Sequence, residues 1–167
     1  MILRSAAKNS GAGRTKQQTT QRRKQQRNKN GNDLEVMSMT ELYDTAFTPR
    51  SKIIDGLLNC GTYIFSGAPK IGKSFLVLQM AYCISTGTPF WDYKVTQGDV
   101  LYLALEDNYP RLQERLSRMF GDAASENLYL SIRAGTIHEG LTEQISSFIK
   151  AHPDTKLVII DTLQKIR

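Results

Sequence analysis

The sequence predicts an α/β protein, a parallel sheet flanked by helices, preceded by a basic tail without structure. Three observations carry that expectation. From residue 61 onward, apolar runs alternate with helical patterns, the order that builds parallel strands joined by crossover helices. Val100-Leu101-Tyr102-Leu103-Ala104-Leu105 and Leu157-Val158-Ile159-Ile160 are unbroken apolar runs, as strands buried on both faces are. A glycine loop, Gly67 to Ser74, joins the β-formers Thr62–Ser66 to Phe75–Thr86, which is apolar almost all round.

That loop reads Gly67-Ala68-Pro69-Lys70-Ile71-Gly72-Lys73-Ser74. It is the G-x-x-x-x-G-K-[ST] phosphate-binding pattern, the P-loop or Walker A motif. The glycines let successive backbone N–H groups turn inward and form a nest for a phosphate. Lys73 then reaches the β- and γ-phosphates as a point charge, and the Ser74 hydroxyl ligates Mg²⁺. The helix behind directs its positive end at the same anion. Gly67, Ala68, Pro69, Lys70, Ile71, Gly72, Lys73, Ser74 and Phe75 are therefore the candidate nucleotide-binding stretch, with ATP and Mg²⁺ as the expected cofactors.

Gly87 and Pro89 stop the helix after the P-loop. Phe90-Trp91 sits in the next loop, where Trp91 anchors the loop or stacks on an adenine. A turn at Gln97-Gly98-Asp99 leads to the strand Val100–Leu105, which ends in Glu106-Asp107. Pro110 opens a helix whose core stripe is Leu112, Leu116, Met119 and Phe120. Arg111, Arg115 and Arg118 share its other side and read as a solvated face with a Glu114–Arg118 pair. Leu128–Ile132 is a third strand, and a further helix runs from Leu141 to Ala151 with the stripe Leu141, Ile145, Phe148 and Ile149. His152 reads as a surface residue. The final apolar run closes in Asp161, the Walker B pattern, whose carboxylate holds a Mg²⁺-bound water. Lys73, Ser74, Glu106 and Asp161 all map to strand carboxyl ends, where α/β sheets bind their ligands.

Charge is unevenly spread. The net charge is +6, yet residues 1–33 hold nine Lys/Arg against one acid, Asp33, and the rest holds 13 basic and 15 acidic residues. Residues 1–33 are low-complexity and lack aromatics, so disorder is expected. They form either a solvated extension or a phosphate-contacting arm for DNA. On the second reading, deleting them weakens DNA binding and leaves ATP affinity unchanged. Residues 34–60 are a lead-in segment, with Thr40 capping a short helix over Glu41–Ala46 and Ile53–Leu58 leading into the P-loop strand. Residues 61–167 hold the nucleotide-binding domain. Cys60 and Cys83 lack metal-ligand spacing, and Cys83 reads as a core residue. No apolar run approaches the roughly 20 residues of a membrane span. A cytoplasmic protein without a membrane partner is expected.

The P-loop, Leu103-Ala104-Leu105-Glu106-Asp107 and Val158-Ile159-Ile160-Asp161-Thr162-Leu163 together resemble the RecA-like ATPases. Within them the chain is similar to the RepA-type hexameric helicases of plasmids and mobile elements. The resemblance covers about residues 50–167. It implies a water-activating role for Glu106, which with Lys73 makes the catalytic pair. It also implies Asp161 holding Mg²⁺ through water with Thr162 assisting, DNA as a partner, and a homo-oligomer, a hexamer when complete. Family members place a further strand between the Walker B and P-loop strands, and supply a sensor residue and an arginine finger. None of these follows Asp161 here, and Arg167 lies too close to Walker B to serve as the finger. The resemblance therefore implies an incomplete core, unpaired P-loop strand groups and negligible ATPase activity from these residues alone. The competing reading is a nucleotide-dependent regulatory protein or helicase remnant without turnover. A small-molecule P-loop kinase is disfavoured by Leu105-Glu106-Asp107 and by the lack of an Arg-rich lid.

Overall fold

The computed structural model describes the backbone of Ile2–Arg4 and all of residues 36–167. Met1 and residues 5–35, and with them most of the basic tail, lie outside the described residues. The chain divides into two compact units, one of residues 1–8 with 50–167 and one of residues 9–49. In chain order the elements are β1 (Ile2–Arg4), α1 (Met39–Asp44), β2 (Lys52–Ile54), β3 (Leu58–Asn59), β4 (Thr62–Ile64), α2 (Lys73–Thr86), β5 (Asp99–Ala104), α3 (Tyr109–Phe120), β6 (Leu128–Ser131), α4 (Leu141–Ala151) and β7 (Thr155–Asp161). No helix among the described residues is long and apolar enough to cross a membrane.

In the unit of residues 9–49, α1 starts two residues earlier than a Thr40 cap places it. Ser38 is the N-cap and forms a reciprocal capping box with Glu41, which satisfies two amides that would otherwise lack partners.

The larger unit is built on a five-stranded sheet of order β4-β1-β7-β5-β6. β7, β5 and β6 run parallel, as their apolar runs predict. β1 is antiparallel to both β4 and β7, with Leu3 opposite Tyr63 on one side and Ile159 on the other. Two expectations are corrected here. The tail does not begin as an unstructured segment, and the place between the P-loop and Walker B strands is filled, by the chain's own first residues. The backbone of β4 is paired because β1 supplies the missing row of donors and acceptors. Ile53–Leu58 does not run straight into the P-loop strand either. It forms a separate two-stranded hairpin, β2–β3.

Strand periodicity sorts the core onto two faces. Val100, Tyr102 and Ala104 of β5 and Leu157 and Ile159 of β7 meet α2 and α3, with Val77, Leu78, Ala81, Ile84 and Leu112. Leu101, Leu103, Val158 and Ile160 meet α4 through Leu141 and Ile145. Cys83 is buried in the first cluster, and desolvation raises its thiol pKa. His152 is not a plain surface residue. It stacks on Phe148 and lies against Tyr129, with ring centres 4.3 and 4.2 Å away.

Candidate nucleotide-binding site

β4 and β7 are both antiparallel to β1, and β5 is parallel to β7. The carboxyl ends of β4, β5 and β7 therefore share one sheet edge. Neighbouring strands lie about 4.8 Å apart, which puts the P-loop strand about 10 Å from the Walker B strand.

The loop after β4 turns through two left-handed residues, Lys70 at φ 62° and Gly72 at φ 88°. A Cβ on Gly72 would meet nothing within 4 Å, so glycine is required there by its backbone angle and not by crowding. Gly72 is also the N-cap of α2, and no side chain caps the helix. The first-turn amides thus remain available to an anion. No acidic residue occupies that turn. The Lys73 ammonium folds back and donates to the carbonyls of Gly67 at 2.9 Å and Ala68 at 2.6 Å. Both acceptors are neutral carbonyls, so no counter-charge there competes with a phosphate. Ser74 follows in the first turn, half-buried.

Asp161 closes β7 on the same face as Leu157 and Ile159. Tyr102 lies on the neighbouring strand one step diagonally away, within reach of a long side chain. Its hydroxyl donates to Asp161 Oδ2 at 2.8 Å. Burial, and then the charge of Asp161, push the phenol pKa well above its ordinary value, so Tyr102 stays a donor. The peptide bond from Asp161 to Thr162 is cis.

Ala104 pairs with Asp161, and the Leu105 N–H donates to the Asp161 carbonyl at 2.7 Å. Glu106 comes next, in a turn closed by the Asp107 N–H on the Ala104 carbonyl at 3.1 Å. Its side chain is exposed on the edge that also carries Asp161 and the P-loop. Beside it Asp107 is only 8% exposed and is held by Arg115 at 2.8 Å and Arg111 at 3.5 Å.

Ser74 and Asp161 suit Mg²⁺ as oxygen donors. Among the described residues no group of three or more His, Cys, Asp and Glu could hold a metal alone.

Sequence reasoning missed Tyr102, Asp107 and Arg115. Tyr102 was hidden inside an apolar strand, and its only signal was a hydroxyl two residues before a strand end. Arg115 was grouped with the solvated arginines, although it is 16% exposed. The Glu114–Arg118 pair does form, at 2.6 Å. Trp91 follows the far end of α2, about 21 Å along the helix from Lys73. Its ring packs on Phe90 at 4.5 Å but is 58% exposed, so the buried Phe90 and not Trp91 anchors the loop.

A strand, a left-handed glycine turn and an uncapped helix N-terminus, on the sheet edge that also carries the acidic ends of β5 and β7, make this a P-loop nucleotide-binding fold. Residues 32–167 match the AAA domain family, and the chain belongs to it. The domain is thus of the ATPase type. No curated protein and no solved structure matches the chain.

Proposed function

We propose that the protein binds Mg-ATP at this edge and hydrolyses it with Glu106 as the water-orienting carboxylate. The observation that supports this most strongly is the convergence of the open α2 N-terminus, the Tyr102-held Asp161 and the exposed Glu106 on one edge. Lys73 leaves the Gly67 and Ala68 carbonyls for the β- and γ-phosphate oxygens. Ser74 and Asp161 would hold Mg²⁺ there, with Thr162 next to Asp161 in the chain. Bound Mg²⁺ supplies neutralisation of the charge developing on the phosphates. Tyr102 occupies Oδ2 of Asp161 and so aims the other oxygen. Glu106 accepts a hydrogen bond from the attacking water and takes its proton.

The finer reading is a RepA-type helicase motor that works on DNA as a homo-oligomer. It rests on Leu105-Glu106-Asp107, Asp161-Thr162-Leu163 and the basic composition of residues 1–33. In an oligomer a neighbouring copy would supply an arginine to the γ-phosphate.

The test separates binding from turnover. Glu106→Gln is expected to bind a fluorescent ATP analogue like the parent and to lose at least about 100-fold in phosphate release, measured with and without single-stranded DNA. Equal turnover in both proteins contradicts the assignment. A parent that binds ATP and releases no phosphate under either condition supports the regulatory reading instead.

A further inference from the structure

The three arginines of α3 are not alike. Arg118 is 76% exposed and pairs with Glu114 on the same helix. Arg111 reaches Asp107 only at 3.5 Å and from solvent. Arg115 is tucked in, with NH1 2.8 Å from Asp107 Oδ2 and its guanidinium carbon 5.1 Å from the centre of the Phe75 ring. Phe75 belongs to the first turn of α2, directly after Lys73 and Ser74. Asp107 follows Glu106 and also accepts the Asn108 N–H at 3.0 Å. Tyr102, which holds Asp161, lies close enough to feel the charges of both Asp107 and Arg115.

A planar guanidinium can face an aromatic ring while its in-plane N–H groups engage a carboxylate, which a lysine ammonium cannot do. Asp107 is almost fully buried, and a buried carboxylate needs a partner. One side chain therefore ties the turn after β5 to the helix that follows the phosphate loop.

We propose that Arg115 is a positioning residue for the Glu106 turn. Phe75 seats the guanidinium, the guanidinium anchors Asp107, and nucleotide at the P-loop thereby stiffens the turn that carries Glu106. The proposal deepens the reading of Glu106 as the water-orienting carboxylate and rests on it for its catalytic consequence. The mechanical part stands apart from catalysis. The amides of Asp107 and Asn108 bond to Ala104 O and Asp107 Oδ1, so their exchange reports on the turn.

The experiment is amide hydrogen exchange by mass spectrometry on the full chain, with and without Mg²⁺ and a non-hydrolysable ATP analogue. In the parent, nucleotide is expected to slow exchange in residues 67–76 and also in residues 105–109. In Arg115→Ala the first protection remains and the second is lost. Arg115→Lys keeps an ion pair with Asp107 without the guanidinium over the Phe75 ring, and is expected to lose most of the second protection. Unchanged protection of 105–109 in both variants overturns the proposal. So does loss of protection at 67–76 in step with 105–109 in both, since Arg115 would then only hold the fold together. Should the alanine variant fail to fold, the lysine variant decides by the same two readings.

Turnover supplies the second readout. Arg115→Lys should lower kcat about 10- to 100-fold, with KM for ATP unchanged. Added to Glu106→Gln it should cause no further loss, because both act through one group. A further loss of the same size overturns the positioning role. Glu106→Gln turning over like the parent would remove the catalytic reading alone, and the exchange pattern would still decide the coupling.

Discussion

The two halves of the sheet obtain their stability in different ways. β7, β5 and β6 are parallel, consecutive in the fold's winding, and sealed by helices on both faces. Their registers extend over four to six residue pairs. The other half is β4 with β1, two three-residue strands, and β1 comes from the start of the chain and runs against its neighbours. Yet this thinner half carries the P-loop. The phosphate-binding element is thus joined to the carboxylate-bearing half through a short inserted strand. Nucleotide binding should consequently depend on β1, far from the loop in sequence, whereas Asp161 and Glu106 are held from within their own half by β5, Tyr102 and Arg115.

Breaking β1 is the largest expected effect. Leu3→Pro removes a ladder N–H from a strand paired on both sides, which proline does not tolerate. Each buried group left unpaired costs about 1–3 kcal/mol, out of a total stability of about 5–15 kcal/mol for a domain. A fall in Tm of at least about 5 °C and a weaker affinity for ATP are expected. Calorimetry and analogue binding check both. Deleting the first eight residues should act the same way, contrary to the expectation that the basic tail is irrelevant to ATP. A deletion that melts and binds like the parent would show that β4 needs no partner there.

In the thicker half, Tyr102→Phe removes one hydrogen bond to a charged oxygen, worth about 1.5–3 kcal/mol. Denaturant unfolding should show that loss, and Mg²⁺-dependent ATP affinity should fall several-fold while affinity without Mg²⁺ stays. An equal drop under both conditions would mean that Tyr102 serves packing and not the orientation of Asp161.

The same phenol predicts a pH effect. Its folded pKa is raised, by burial first and by the charge of Asp161 second. The folded state therefore keeps a proton that the unfolded state releases near pH 10. This stabilisation is whole below about pH 10 and is lost as pH rises above it. Between pH 9 and 11 the parent should lose stability more steeply than Tyr102→Phe. Parallel slopes in urea unfolding would contradict the assignment.

The smallest effect sharpens the contrast between the arginines. Arg118→Ala breaks an exposed pair with Glu114 and should change stability by less than about 0.5 kcal/mol. It should leave the nucleotide-dependent protection of residues 105–109 intact, unlike changes at Arg115.

What could be read in the sequence follows the same division. Walker A and Walker B were legible because local chemistry fixes them, a glycine turn before a helix and an acid after an apolar run. The parallel order of β5, β6 and β7 was legible from buried strands alternating with helices. α4 matched its amphipathic stripe over Leu141–Ala151. β1 was not legible, because three residues before a polar tail have no periodicity, and the pairing that makes them a strand lies about 60 and 160 residues away. Tyr102 and Arg115 were missed for a related reason. A tyrosine in an apolar run and an arginine in a charged stripe take their meaning from partners on other elements, Asp161, Asp107 and Phe75.

The central claim is that the carboxyl edge, with Lys73 at its heart, is a Mg-ATP site. Equilibrium binding of Mg-ATP to Lys73→Ala tests it most directly. Lys73 exchanges two neutral carbonyls for two phosphate oxygens, and charge-assisted hydrogen bonds contribute about 1.5–3 kcal/mol each. A loss of at least about 100-fold in affinity, in a variant that still unfolds cooperatively in the absence of nucleotide, is the predicted result. Parent-like affinity in the alanine variant would contradict the account.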